Sequence, residues 1–320
     1  MRYHRGLIFW GLALITGGAV ALAAQQGYLD RDLLAKAWRL WPLILIAIGL
    51  AILLSRTPFA VIGTIAAALV IGAAGGALVA VGPGVVSCGG PEPIDLTTLD
   101  GTFGDQARVG LDFNCGTLNV GMVDGSRWSV ASRGARADSG PTINDDSRHL
   151  DVSHPDDSWF GPGSRQVWNI KLPMAPTLEL DVAPNAADTR IDLGGGHFTS
   201  VALHPNAGSI FIDLTDAHVD DLTLALNAGS ASVVIGPGSD LNATMNVNAG
   251  SIDVCTAEGV ALRVTADPNL TFSTNLDESG LVQTGDDWST PGYADAAAKV
   301  HIDLEGNAGS FTLNPEEGCS

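Results

Sequence analysis

Residues 206–230 read Asn-Ala-Gly-Ser-Ile-Phe-Ile-Asp-Leu-Thr-Asp-Ala-His-Val-Asp-Asp-Leu-Thr-Leu-Ala-Leu-Asn-Ala-Gly-Ser, so the four residues that open the stretch return 21 positions later. The same tetrapeptide stands at 248–251 and at 307–310. A degenerate copy, Asn185-Ala186-Ala187-Asp188, extends the series backward, and Asn269 extends it forward. The copy at Asn307 lies 59 residues beyond Asn248, four short of three periods, so the register breaks before it. Self-similarity at a fixed short period is the mark of a repeat architecture.

Apolar residues keep the same period. Leu180, Val201, Leu222, Ala243 and Val264 align, as do Val182, Leu203, Leu224, Met245 and Ala266. A further set, Ile191, Ile212, Val233 and Val254, follows the tetrapeptide. Within each unit apolar and polar residues tend to alternate, which predicts strands with one buried face. Each unit then reads strand, turn, strand. Asn206, Asn227, Asn248 and Asn307 open the turns, and Gly208, Gly229, Gly250 and Gly309 permit positive φ there. One 21-residue unit cannot bury its own apolar face, so the units are expected to stack into an all-β solenoid. The competing arrangement is a meandering β-sandwich. Residues 95–175 are less regular, although Asn114-Cys115-Gly116-Thr117-Leu118-Asn119-Val120 has the form of another turn and strand. They are expected to supply the first rungs and a cap over the exposed edge.

Charge separates this part from what precedes it. The whole chain of 320 residues carries −19. Residues 1–90 hold six basic side chains and two acids, for +4; the remaining 10 basic and 33 acidic groups give −23. So acidic a domain excludes a nucleic-acid partner, which needs a basic face. A hydrophobic share of 46% and a mean hydropathy of +0.22 exclude wholesale disorder.

Three apolar runs predict a membrane α-helical N-terminal part over 1–86, with spans at 6–24, 38–54 and 59–83 and a linker at 87–94. The first could cross a hydrocarbon core about 30 Å thick; a cleaved signal peptide is its alternative. The second uses Trp38 and Trp41 as interfacial anchors, with Pro42 in the first helical turn. The third ends at Pro83 and carries Gly72, Gly75 and Gly76, small enough for close helix contact or simply facing lipid. Three spans put the two chain ends on opposite sides of the membrane. Flanking Lys and Arg residues count three against three, and the N-terminus is placed inside with 95–320 outside.

Two segments resemble known families. Trp41-Pro42-Leu43-Ile44-Leu45-Ile46-Ala47-Ile48-Gly49-Leu50, after an apolar span and a short linker, resembles the LiaI/LiaF-type transmembrane region. Asn169-Ile170-Lys171-Leu172-Pro173, followed by Leu178-Glu179-Leu180-Asp181-Val182 and the Asn-Ala-Gly-Ser units, resembles Toastrack (candidate adhesin) and LiaF C-terminal domains. The resemblance implies bacterial envelope-stress sensing, in which a membrane region couples to a signalling partner. The chain departs from the four-span arrangement common in LiaF proteins, since it shows three.

The motifs of catalysis and metal binding do not occur. Cys88, Cys115, Cys255 and Cys319 form no Cys-x-x-Cys pair. In an extracytoplasmic domain one or two disulfides are expected, with three complete pairings open; buried free thiols are the alternative, which suits Cys255 at a strand end. The seven histidines form no ligand motif, and His197, His204 and His218 show no repeated column. Asp213, Asp216, Asp220 and Asp221 lack an EF-hand or nine-residue calcium pattern and read as solvated acidic turns. No cofactor is expected. The expected function is that of a non-enzymatic, membrane-anchored envelope protein, stress-sensing or regulatory, whose solenoid binds a ligand the sequence does not identify. Its expected partners are membrane lipid and a membrane-bound signalling protein. The alternative is a surface adhesion or ligand-binding module anchored by its helices.

Overall fold

A computed structural model of the chain describes residues 11–12, 14–16, 68–70, 72, 93–134, 140–154, 165–266 and 273–319. The chain divides into two compact units, Met1–Ser87 and Cys88–Ser320. In the first, the described positions are helical and fall within the first and third apolar runs; there Thr16 Oγ1 donates to the Leu12 carbonyl at 2.8 Å. Among the described residues no helix is long and apolar enough to cross a membrane. The second apolar run and the linker up to residue 92 lie outside the described residues.

The second unit holds sixteen described strands: β1 (Ile94–Thr102), β2 (Gln106–Val123), β3 (Arg127–Gly134), β4 (Thr142–Asp145), β5 (His149–Ser153), β6 (Gln166–Pro173), β7 (Thr177–Asp192), β8 (His197–Leu203), β9 (Ala207–Asp213), β10 (His218–Ile235), β11 (Leu241–Thr256), β12 (Leu262–Ala266), β13 (Ser273–Thr274), β14 (Val282–Thr284), β15 (Asp287–Ser289) and β16 (Val300–Leu313). Parallel pairing stacks them into eight two-armed rungs, in the order β5 with β6, β2, β7, β8 with β9, β10, β11, β16, and β12 with β13. Antiparallel strands finish both ends. β3 pairs β6 and β1 pairs β3, while β4 pairs β5; β15 pairs β12 and β14 pairs β15. These strands cover the ladder edges that a solenoid would otherwise expose.

The Asn-Ala-Gly-Ser segments differ from the expected two strands joined by a turn. In β10, β11 and β16 the strand runs straight through the tetrapeptide, and each residue from Ala to Ser stays in register with the rung beside it. The segment is a corner in a continuous ladder. Gly229 and Gly250 make the corner with φ of +115° and +150°, where a Cβ would overlap the carbonyl oxygen of the corner glycine on the rung before. Only glycine tolerates that φ and that approach.

The inward columns are apolar except at Thr189. Leu180, Val201, Leu222, Ala243, Ile302 and Val264 stack on one arm; Leu118, Thr189, Ile210, Ala231, Ile252 and Phe311 stack on the other. All are buried, and each large apolar side chain among them stabilises by about 1.5–3 kcal/mol relative to exposure. The first column corrects the 21-residue alignment at its far end. Val264 does not follow Ala243 in space, because Ile302 of β16 lies between them. The 59-residue step is a rung taken out of chain order rather than a lost register.

Candidate binding surface

The four predicted asparagines come together. Asn206 donates its side-chain amide to Asn185, Asn227 to Asn206 at 2.7 Å, Asn248 to Asn227 at 2.9 Å and Asn307 to Asn248 at 3.0 Å. Each inner member both donates and accepts, so one exposed amide ladder runs along the corner across five rungs. It forms because identical residues at one rung position lie at the strand spacing, about 4.8 Å, which an amide spans. Beside it runs a stripe of Ala and Gly, and then an outward column of Thr117, Asp188, Ser209, Ser230, Ser251 and Ser310. Ser209 Oγ donates to Asp188 Oδ1 at 2.8 Å. The next outward column is less uniform: Asn119, Arg190, Phe211, Ser232, Asp253 and Thr312. Asn119 donates to Asn169 Oδ1 at 2.9 Å.

Cys255 at the end of β11 is disulfide-bonded to Cys319, with Cα atoms 5.9 Å apart, and is not the free thiol that its strand-end position suggested. The bond ties the tail that follows β16 to the rung beside it. Cys115 is also disulfide-bonded, and Cys88 lies outside the described residues.

The histidines do have a column, contrary to the sequence reading. His197 and His218 are 21 residues apart, occupy adjacent rungs in register, and stack with ring centroids 5.9 Å apart. Both are exposed, and His218 lies 3.4 Å from Asp220. His204 lies 4.0 Å from Asp181. Asp213 and Asp221 face outward from different arms, and among the described residues no three His, Cys, Asp or Glu side chains gather as metal ligands. At the β4–β5 turn, Asp146 has a displaced pKa. The backbone N–H of Arg148, donating to Oδ1 at 2.6 Å, is the main reason its carboxyl is held below the ordinary value; the His149 ring and N–H add to this.

The geometry is that of a β-solenoid domain with an exposed, periodic polar face, preceded by an apolar N-terminal unit. Residues 8–53 match the LiaI-LiaF-like transmembrane region, and residues 96–236 match the N-terminal domain of toast_rack. The chain therefore joins a LiaI-LiaF-like transmembrane region to a toast_rack β domain, and it is membrane-associated. The toast_rack match runs to the end of β10, and β11, β16 and β12 add rungs beyond it. Among solved structures, the chain is similar to a candidate cell adhesion protein from Clostridium sporogenes, with 14% identity, a TM-score of 0.46, and coverage of 69% of this chain and 99% of that one. A candidate adhesin from Bacteroides fragilis shows 10% identity and a TM-score of 0.29, covering 68% of this chain and 96% of that one. One from Parabacteroides merdae shows 8% identity and a TM-score of 0.20, covering 68% and 95%. No curated protein matches the chain.

Proposed function

We propose that the protein is a bacterial cell-envelope sensor or regulator, in which a multi-pass membrane region carries a non-catalytic solenoid on the extracytoplasmic side. The joining of the two matched regions in one chain carries this reading: a LiaI-LiaF-like transmembrane region provides the contact with membrane lipid and with a membrane-bound signalling protein, and the toast_rack domain provides the binding surface. The Cys255–Cys319 disulfide supports outward placement, since such bonds persist in oxidising compartments. A rigid stack of rungs offers an extended surface rather than an enclosed reaction chamber.

Protease added to intact cells, with the outer layers made permeable where needed, tests the orientation. Cleavage within 95–320 is expected; protection of that segment while an extracytoplasmic control is cut would overturn it. Co-purification from membranes then tests the regulatory role. A signalling protein should be recovered with the full chain and lost when residues 1–86 are replaced by an unrelated anchor. Recovery unchanged by that replacement would favour the second reading, a surface adhesion module, which the long exposed amide ladder supports.

A further inference from the structure

The outward face of the second arm carries a shallow dip. Arg190 and Phe211 stand on neighbouring rungs in the same column, with the guanidinium carbon 4.3 Å from the ring centroid. On the next rung that column holds Ser232, and the column beside it holds Ser230. The dip, about 180 Å³, runs between these two columns over four rungs, from Thr117 and Asn119 to Ser230 and Ser232. Arg190 covers one face of the Phe211 ring. The other face looks toward Ser232, whose side chain is too short to cover it, and Phe211 remains partly exposed.

The rim of the dip is rich in groups with bonding capacity to spare. Arg190 makes no hydrogen bond or ion pair among the described residues, so its planar fork of donors is unengaged. Asp188 uses Oδ1 to accept from Ser209, and its second oxygen has no partner among the described residues. Ser230 and Ser232 each offer a hydroxyl that both donates and accepts. One apolar ring face, a donor fork, a carboxylate and two hydroxyls thus surround a shallow space open to solvent.

We propose that this dip binds one ring of a neutral polysaccharide. A pyranose ring has a face of C–H groups, which pack on an aromatic face, and a rim of hydroxyls, each donor and acceptor, which the mixed rim here can satisfy in both senses. The shallow, open form suits a unit within a longer chain rather than a small molecule that must be engulfed. Neighbouring rungs, about 4.8 Å apart along the stack, continue the polar face so that the polymer can extend along it. The surrounding −23 domain disfavours an anionic polymer. The proposal rests on the solenoid being a binding domain and deepens that reading by naming the ligand class.

The test uses the full chain in lipid nanodiscs, titrated with hexamers of glucose, mannose and N-acetylglucosamine, and with an oligogalacturonide as the acidic control. At least one neutral hexamer is expected to bind with Kd at or below about 1 mM, and Phe211→Ala and Ser232→Leu are each expected to weaken it roughly ten-fold, about 1.4 kcal/mol. Both positions face outward, and unchanged thermal unfolding shows that each variant still folds. Three results would each overturn the proposal: no neutral hexamer binding at about 5 mM, tighter binding of the oligogalacturonide, or affinities that both variants leave unchanged. Loss of the glycan result with recovery of a membrane signalling partner would remove the ligand class and leave the proposed function standing. The reverse pattern would remove signalling and keep the site.

Discussion

Asn307 donates its side-chain amide to Asn248 across 59 residues of chain, and the bond repeats the one Asn248 makes to Asn227 across 21. The equivalence is spatial and not sequential: β16 occupies the rung that continued 21-residue counting would have assigned to β12. Residues 257–299, described except at 267–272, form the detour that makes this rearrangement, carrying β12 to β15 as the closing rung and its antiparallel cover.

The corner glycines are predicted to tolerate no side chain. Gly229→Ala would place a methyl against the Gly208 carbonyl oxygen at φ +115°, and a loss of about 3 kcal/mol is expected. Gly238→Ala is the comparison, because at φ +75° with open space around it only the backbone penalty of about 1 kcal/mol applies. Thermal unfolding followed by β-sheet circular dichroism separates the two, and equal shifts would refute the close approach at the corner.

Thr189 points inward between Leu118 and Ile210, is 4% exposed, and its hydroxyl has no hydrogen-bond partner among the described residues. Thr189→Val removes an unpaired buried polar group at nearly constant shape. It is expected to stabilise the domain by about 1 kcal/mol. Denaturant unfolding decides the matter, and a destabilised variant would mean that the hydroxyl is bonded.

Loss of the Cys255–Cys319 bond reopens a loop of 64 residues. Cys255→Ser, Cys319→Ser and the double variant should each lose roughly 2–4 kcal/mol, and by the same amount, since each removes one shared link. Addition of reductant should destabilise the wild-type chain by at least as much, because it also opens the disulfide of Cys115. A double variant costing twice either single one would contradict the pairing.

Acid should loosen the β4–β5 turn locally. Because the folded-state pKa of Asp146 lies below its ordinary 3.8, its carboxylate contributes stability that is present above that value and lost as pH falls through the lower folded pKa. Asp146→Asn should abolish the pH dependence of the Arg148 and His149 amide resonances below about pH 4. Persistence of that dependence in the variant would assign it to another group.

The rung length, the corner position and most of the buried columns were legible in residues 180–254, because equivalent residues there recur at one interval and each performs the same physical task. Asn206, Asn227 and Asn248 could be aligned by counting alone. Their mutual hydrogen bonds could not, since those depend on the corner keeping its ladder register rather than opening into a loop. The neighbour of Ala243 was misread as Val264 because counting along a chain assumes that stacking follows chain order, and Ile302 breaks that assumption. The His197–His218 stack was within reach of the same 21-residue count, as was the adjacency of Arg190, Phe211 and Ser232. Arg190, Phe211 and Ser232 differ in type, so identity at the 21-residue interval does not mark them, while His197 and His218 are identical but have no counterpart one interval before or after.

The interleaving of β16 between β11 and β12 also dictates a timetable. Synthesis delivers β12 before β16, yet β12 has no direct partnership with β11 and reaches it only through the strand still to come. The growing stack therefore halts at β11, with an open ladder edge, until Val300–Leu313 arrives and supplies both neighbours at once. At the other end β2 is made first and simply waits for β5, β6 and β7 to gather around it. Assembly of this domain accordingly ends in a single late insertion, and a chain interrupted anywhere before residue 300 would leave that edge exposed.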